Sequence, residues 1–252
     1  MSGHSKWSTI KRAKGVADDK RGQLFTKLGR EISVAARQGG PDPDSNSRLR
    51  LAIERARDSN MPKDTMARAI KRATGDGDGA ALQEIVYEGY GPGGAAILVE
   101  ALTDNRNRTV SDIRNVFSRA GGNLGESGSV AWQFESRGLI VLNTEGADAE
   151  ELALAAMDTD AEDVRMEDGA VELYTAPDKL ESIRQALAES STPVTSFELT
   201  KVPKSTIALD TGKAKQVLRL LDSLDELDDV QRVSSNADFP DDVLESYADD
   251  QG

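Results

Sequence analysis

Residues 138–200 read GLIVLNTEGADAEELALAAMDTDAEDVRMEDGAVELYTAPDKLESIRQALAESSTPVTSFELT. The apolar run LIVL at 139–142 predicts a buried strand. ADAEELALAAM at 147–157 has helical spacing. DVRME at 163–167 and AVELYT at 170–175 predict a hairpin across Asp168-Gly169, the favoured two-residue turn. PDKLESIRQALAES at 177–190 predicts a second helix, and VTSFELT at 194–200 a closing strand. The order βαββαβ is that of a ferredoxin-like domain.

On either side of this complete pattern lie incomplete ones. Upstream, EIVYEGYGPGGAAILVEALT at 84–103 predicts a hairpin, RTVSDIRNVFSRAGG at 108–122 a helix, and SVAWQFE at 129–135 a strand. That is ββαβ, one helix and one strand short of closing. Downstream, GKAKQVLRLLDSLDELDD at 212–229 supplies a helix and VQRVSS at 230–235 a strand. The late pair therefore completes the earlier sheet, and the ferredoxin-like unit is inserted within it. The expected fold is α+β in three domains: a basic helical domain at 1–75, a discontinuous middle domain at 81–135 with 203–237, and an inserted domain at 136–202. An acidic tail is expected at 238–252. From Asp222 to the last residue there are 11 Asp and Glu against one Arg, which suggests either a solubilising tail or an internal competitor for the basic domain.

The first domain rests on helical periodicity. GQLFTKLGREISVAARQGG at 22–40 spaces Leu24, Phe25, Leu28, Ile32, Ala35 and Ala36 for one face and stops at Gly39-Gly40-Pro41. Leu49, Ile53 and Ala56 line a second helix, and Met66, Ile70 and Ala73 a third that starts near Pro62. TGDGDGA at 74–80 is a linker. The two helices at 46–73 raise the possibility of a helix–turn–helix, although a short turn between helices is common in all-α packing.

Charge is divided as sharply as the pattern. The chain of 252 residues carries a net charge of −13, but residues 1–73 hold 17 Lys and Arg against 8 Asp and Glu, or +9. The remainder holds 14 against 36, or −22. A basic segment on an acidic protein points to an anionic partner, with the acidic part limiting indiscriminate binding. Lys6, Lys11, Arg12, Lys14, Lys20 and Arg21 form a basic arm matched to phosphates. Trp7 within it either stacks on an unpaired base or anchors the arm to the helices. In TDNRNRT at 103–109, Arg106 and Arg108 with Asn105 and Asn107 stand at a helix start. That position favours phosphate oxygens, and N-capping with surface ion pairs is the competing reading.

Enzyme chemistry finds little support. There is no cysteine, and one histidine, His4, cannot build a zinc site or a hydrolase triad. GPGG at 91–94 lacks the Lys-Ser/Thr of a phosphate loop, and no dinucleotide fingerprint occurs. Asp104 beside Arg106 and Arg108 is the one grouping that a phosphate-handling enzyme, the remote alternative, could use. We expect no catalytic residues, no metal, no cofactor and no small-molecule substrate. The basic N-terminus has no apolar run behind it, and no stretch is long enough to span a bilayer, so a cytoplasmic protein without membrane partners is expected.

The motifs GHSKW (3–7), KRG.LFTKL.RE (20–31), NMPKDT..RAIKR (60–72), YEGYGPGG (87–94), DNRNRT (104–109) and GGNLG..GSV (121–130), with dots for residues passed over, occur in this order. Together they closely resemble the YebC/PmpR family of probable transcriptional regulatory proteins, which includes the mitochondrial translational activator of cytochrome c oxidase I. The resemblance implies a helical domain and two α+β domains, the last one inserted, and no catalytic residues. It implies DNA binding and transcription regulation, or alternatively a ribosome-associated translation factor contacting ribosomal RNA. It adds Lys27 and Arg30 to Lys6, Trp7, Lys20 and Arg21 as binding candidates. It also marks Tyr90, Gly91, Pro92 and Gly93 as a contact loop, for which a tight turn needing glycine is the plainer reading.

Overall fold

The structure is a computed structural model and describes residue 7 and residues 18–74, 82–144, 148–167, 169–190, 192 and 194–250. Three helices form the N-terminal domain: α1 (Asp18–Gly39), α2 (Ser47–Asp58) and α3 (Lys63–Thr74). Leu28, Ile32, Ala35, Leu49, Ile53, Met66 and Ala69 share one core. All but Ala69 are positions that the 3.6-residue period placed on inward faces, and Ile70, also placed there, is partly buried. Gly40 ends α1 with a φ of +91°, a conformation in which glycine meets no Cβ penalty. Buried Asn46 then joins two helices. Its Oδ1 accepts the Leu49 N–H at 3.0 Å, capping α2, and its amide donates to the Ala35 carbonyl at 2.8 Å and the Gly40 carbonyl at 2.9 Å. A Cβ on Gly39 would stand 2.6 Å from that amide group, so residue 39 must be small.

The middle domain is built on a sheet of order β3-β1-β2-β9, with β1 Gln83–Tyr90, β2 Ala96–Thr103, β3 Asn123–Leu124 and β9 Val230–Ser235. The late strand thus lies antiparallel to β2, Val99 opposite Val233. β2 is buried at nearly every residue, as a central strand must be. Helices α4 (Arg106–Arg119) and α7 (Thr211–Asp225) contribute Ile113, Phe117, Val217, Leu218 and Leu221 to the same core as Ile97 and Val99. Burying a side chain the size of Phe117 contributes about 1.5–3 kcal/mol.

The inserted domain, a compact unit over Phe134–Lys204, has the strand order β5-β6-β4-β7, all antiparallel. The strands are β4 Phe134–Asn143, β5 Asp163–Glu167, β6 Ala170–Thr175 and β7 Ser196–Pro203. The helices are α5 Ala149–Met157 and α6 Leu180–Glu189. This is the ferredoxin-like arrangement. Gly138 on β4 lets α6 approach: an added Cβ would stand 2.2 Å from the Thr175 hydroxyl and 3.0 Å from Leu180.

Two local expectations give way. The strand expected at 129–135 is interrupted, because residues Ala131–Gln133 form a 3₁₀ turn and β4 begins only at Phe134. Buried Glu88 causes this: its carboxylate accepts the backbone N–H groups of Gly128, Val130 and Ala131 at 2.6–2.7 Å, which a strand would pair elsewhere. The stretch expected as an acidic tail holds the short strand β10 (Ala237–Asp238), paired in parallel with β8 (Ile207–Ala208), and helix α8 (Asp241–Asp250). Val243 and Leu244 of α8 are 1% exposed and join the middle-domain core. The acidic residues dominate the composition, but those two apolar side chains decide the packing.

Leu244→Ala is therefore expected to lower the unfolding free energy by about 2–5 kcal/mol in a chemical denaturation, the range for a fully buried leucine. A solvated tail would leave the midpoint unchanged.

Candidate nucleic-acid interface

Of the predicted arm, Lys6, Lys11, Arg12 and Lys14 lie outside the described residues, as does the side chain of Lys20 at the start of α1. Arg21 is exposed. Trp7 is described, and it is 3% exposed within the middle-domain core. Its indole N–H donates to Asp222 Oδ1 at 3.3 Å, an oxygen that also accepts the Tyr247 hydroxyl of α8 at 2.8 Å. Burial and the Asp222 carboxylate push the Tyr247 phenol up, so it remains a donor. Of the two readings of Trp7, this burial corrects the stacking one: the ring faces leucines and valines rather than a free base.

The cations that follow on α1 are held by carboxylates and carbonyls of the 225–229 turn. Lys27 donates to the Asp225 carbonyl and stands 3.5 Å from its Oδ1. Arg30 bonds Asp229 Oδ1 at 2.6 Å and the Asp228 carbonyl. Arg108, on the first turn of α4, bonds Asp229 Oδ2 at 2.9 Å and Asp104 at 2.8 Å. The Thr109 hydroxyl donates to Asp229 Oδ2 at 2.6 Å, and the Thr103 hydroxyl lies 2.7 Å from that of Thr109. Asp229 is thus a buried carboxylate, 8% exposed, with hydrogen bonds from three elements. Burial alone would raise its pKa, but the Thr109 hydroxyl and the Arg108 and Arg30 guanidiniums hold it below the usual carboxylate range.

A second buried carboxylate, on α1 itself, is held in the same way. Glu31 meets Arg55 of α2 at 2.8 Å and Arg232 of β9 at 3.6 Å. Burial would raise Glu31, but Arg55 and Arg232 outweigh it and hold it low.

The Gly-Pro-Gly-Gly loop is a 3₁₀ turn closed by the Gly91 N–H on the Ala95 carbonyl at 2.8 Å. Gly91 and Pro92 are buried, and a Cβ at Gly91 would stand 3.0 Å from Ile97. The Tyr90 hydroxyl donates to the Ser129 carbonyl at 2.9 Å. Gly93 and Gly94 have φ of +78° and +82°, which glycine tolerates. The loop's glycines answer to packing and backbone geometry. Asn105 likewise caps α4, its Oδ1 accepting the Arg108 N–H at 3.1 Å, so the helix start is occupied by its own side chain. Arg106 and Asn107 are exposed.

One positive face stays open. Lys63, Lys71 and Arg72 of α3 are exposed and meet no carboxylate among the described residues; Arg68 bonds its own helix, at the Asp64 carbonyl and Thr65. No group of His, Asp and Glu that could hold a metal occurs among the described residues, and no helix there is long and apolar enough to cross a membrane. Sequence reading missed the most exposed aromatic ring, Trp132, because it placed that residue in a strand; at 68% exposure its indole N–H donates to the Ser129 carbonyl at 3.1 Å.

Comparison with known proteins adds the family. A family model described as the TACO1/YebC protein N-terminal domain matches residues 5–76, and one described as the TACO1/YebC second and third domain matches 82–237. A probable transcriptional regulatory protein of Dehalococcoides mccartyi strain CBDB1 is 58% identical over 247 residues, covering 98% of each chain. Another from Thermomicrobium roseum is 54% identical over 244 residues, covering 96% of this chain and 98% of that one. The crystal structure of a conserved hypothetical protein from Aquifex aeolicus superposes with a TM-score of 0.85 at 45% identity, covering 89% of this chain and 93% of that one.

Asp229→Asn is expected to destabilise the protein by about 2–4 kcal/mol at pH 7, since it leaves Arg30 and Arg108 beside a neutral amide. The native carboxyl is held below its unfolded value near 3.8, so its stabilisation is complete above that value and fades as pH falls through the lower folded value. Urea midpoints measured from pH 7 to pH 2 should therefore show the wild-type advantage shrinking only below about pH 4.

Proposed function

The chain belongs to the TACO1/YebC family, and from that premise we propose that it is a non-enzymatic, DNA-binding regulator of transcription acting in the cytoplasm. Its contact surface consists of the open face of α3, with Lys63, Arg68, Lys71 and Arg72, together with Lys6, Lys11, Arg12, Lys14, Lys20 and Arg21 of the basic arm. The observation that carries this reading is the segregation of cations. Lys27, Arg30 and Arg108 neutralise carboxylates of the same chain, whereas the α3 face has no such counterions among the described residues. Exposed cations at helical spacing present a row of charges to phosphates. The names of the relatives, probable transcriptional regulatory proteins, support regulation as the role. The net charge of −13 opposes approach in any other orientation.

Lys63→Ala, Lys71→Ala and Arg72→Ala together are expected to reduce the slope of log K against log salt by about 2–3 on duplex DNA, at roughly 0.9 per lost phosphate contact. Lys27→Ala is expected to lower thermal stability and leave that slope unchanged. Fluorescence anisotropy at four salt concentrations measures both. Crosslinking in cells followed by sequencing should recover DNA upstream of genes. Recovery of ribosomal RNA in its place, or an unchanged slope in the triple variant, would refute the proposal.

A further inference from the structure

Strand β1 is paired with β2 along all eight residues, but β3 covers only Gly89 and Tyr90 on its other side. From Gln83 to Tyr87 the outer edge meets no strand among the described residues. A groove of about 680 Å3 runs along that edge. Consecutive residues of β1 from Gln83 to Glu88 line it, so it follows the edge rather than one face of the sheet. Its far end is closed by Leu124, the last residue of β3, and its wall is α4, through Arg106, Val110 and Arg114. Natural sheets protect open edges with lysine, proline, a bulge or a covering segment. This edge has regular register and neither lysine nor proline, and Val86 on it is 46% exposed.

Two further features describe an occupant. Tyr87 is 8% exposed and lines the groove, yet its hydroxyl has no hydrogen-bond partner among the described residues. A buried hydroxyl of this kind calls for a partner from outside the chain, a bound group or ordered water. The charge that the groove leaves unpaired at its surface is positive: Arg106 and Arg114 are exposed and meet no carboxylate among the described residues. The two acids nearby are already engaged, Glu84 with Arg48 at 2.7 Å and Glu88 with three backbone N–H groups.

The geometry points to a docking site for an extended acidic peptide of a partner protein, which adds a strand to β1 at residues 83–87 and sets carboxylates against Arg106 and Arg114. Main-chain pairing supplies the affinity in such complexes, and alternate side chains supply the selection. The peptide backbone or a carboxylate also gives the Tyr87 hydroxyl its missing partner. This surface is separate from the α3 face, so the site stands whether or not that face binds DNA.

The test uses the full chain and a fluorescein-labelled probe of eight residues alternating Val and Glu. Saturable binding is expected, with amide exchange at 83–87 slowed in the complex. Arg106→Ala with Arg114→Ala should weaken it about tenfold, the sum of two exposed ion pairs. Tyr87→Phe should weaken it about fivefold, as for one hydrogen bond, while the thermal melt stays cooperative. A probe with alternate backbone N–H groups methylated should not bind. The proposal is overturned if the methylated probe, or one with Lys for Glu, binds equally well, or if no binding saturates by millimolar peptide. It is equally overturned if single-stranded DNA protects the same amides and displaces the peptide, which would assign the groove to nucleic acid.

Discussion

The Asp229 carboxylate sits between the end of α7 and the start of β9, almost removed from water, and receives Arg30 from α1, Arg108 and Thr109 from α4, and the Thr103 hydroxyl from β2. An unpaired charge at such a depth would cost several kcal/mol, so the site is stable only when those partners arrive together. Its backbone carbonyl also accepts the Leu102 N–H at 2.8 Å, fixing the β2–β9 register at the bulge beside Ala101. The helical domain and the middle sheet are therefore joined by a polar contact with specific geometry. Lys27 on Asp225 and the Trp7 indole on Asp222 extend it along α7.

That joint changes the meaning of the charge asymmetry. Part of the positive charge in the first 73 residues is a counterion set for the acids at 222–229, and is not presented to solvent. A phosphate backbone approaching Arg30 or Arg108 would have to compete with a buried, preorganised carboxylate. Among the described residues, Lys63, Lys71 and Arg72 of α3 meet no such competitor, and Asp64 in the first turn of the same helix is exposed and screened by solvent. The acidic α7 end thus acts as a structural clamp on α1.

Strong periodic patterns were legible in the sequence, and single side chains that join distant segments were not. The βαββαβ order followed from alternating and 3.6-residue patterns local to each element, and the placement of 230–235 in the earlier sheet followed from counting strands. The helix at 241–250 was hidden because six acidic or polar residues accompany Val243 and Leu244, and composition outweighs two buried positions. Trp7 offered two roles with equal chemistry, and its burial in the middle-domain core separates them. Lys27 and Arg30 carry no local mark of their partners, which lie 198 and 199 residues away, and Arg108 shows only Asp104 nearby, not Asp229 121 residues on.

The central claim is that Arg30 and Asp229 hold the helical domain to the middle sheet and do not contact nucleic acid. A double-mutant cycle with Arg30→Ala and Asp229→Ala, read by urea denaturation with DNA affinity measured on the same folded samples, tests it most directly. The account predicts a coupling energy of about 1–3 kcal/mol in stability, the range for a contacting pair, with DNA affinity changed less than about twofold. Additive stability effects, together with a loss of DNA affinity in Arg30→Ala as large as that of the α3 triple variant, would contradict it.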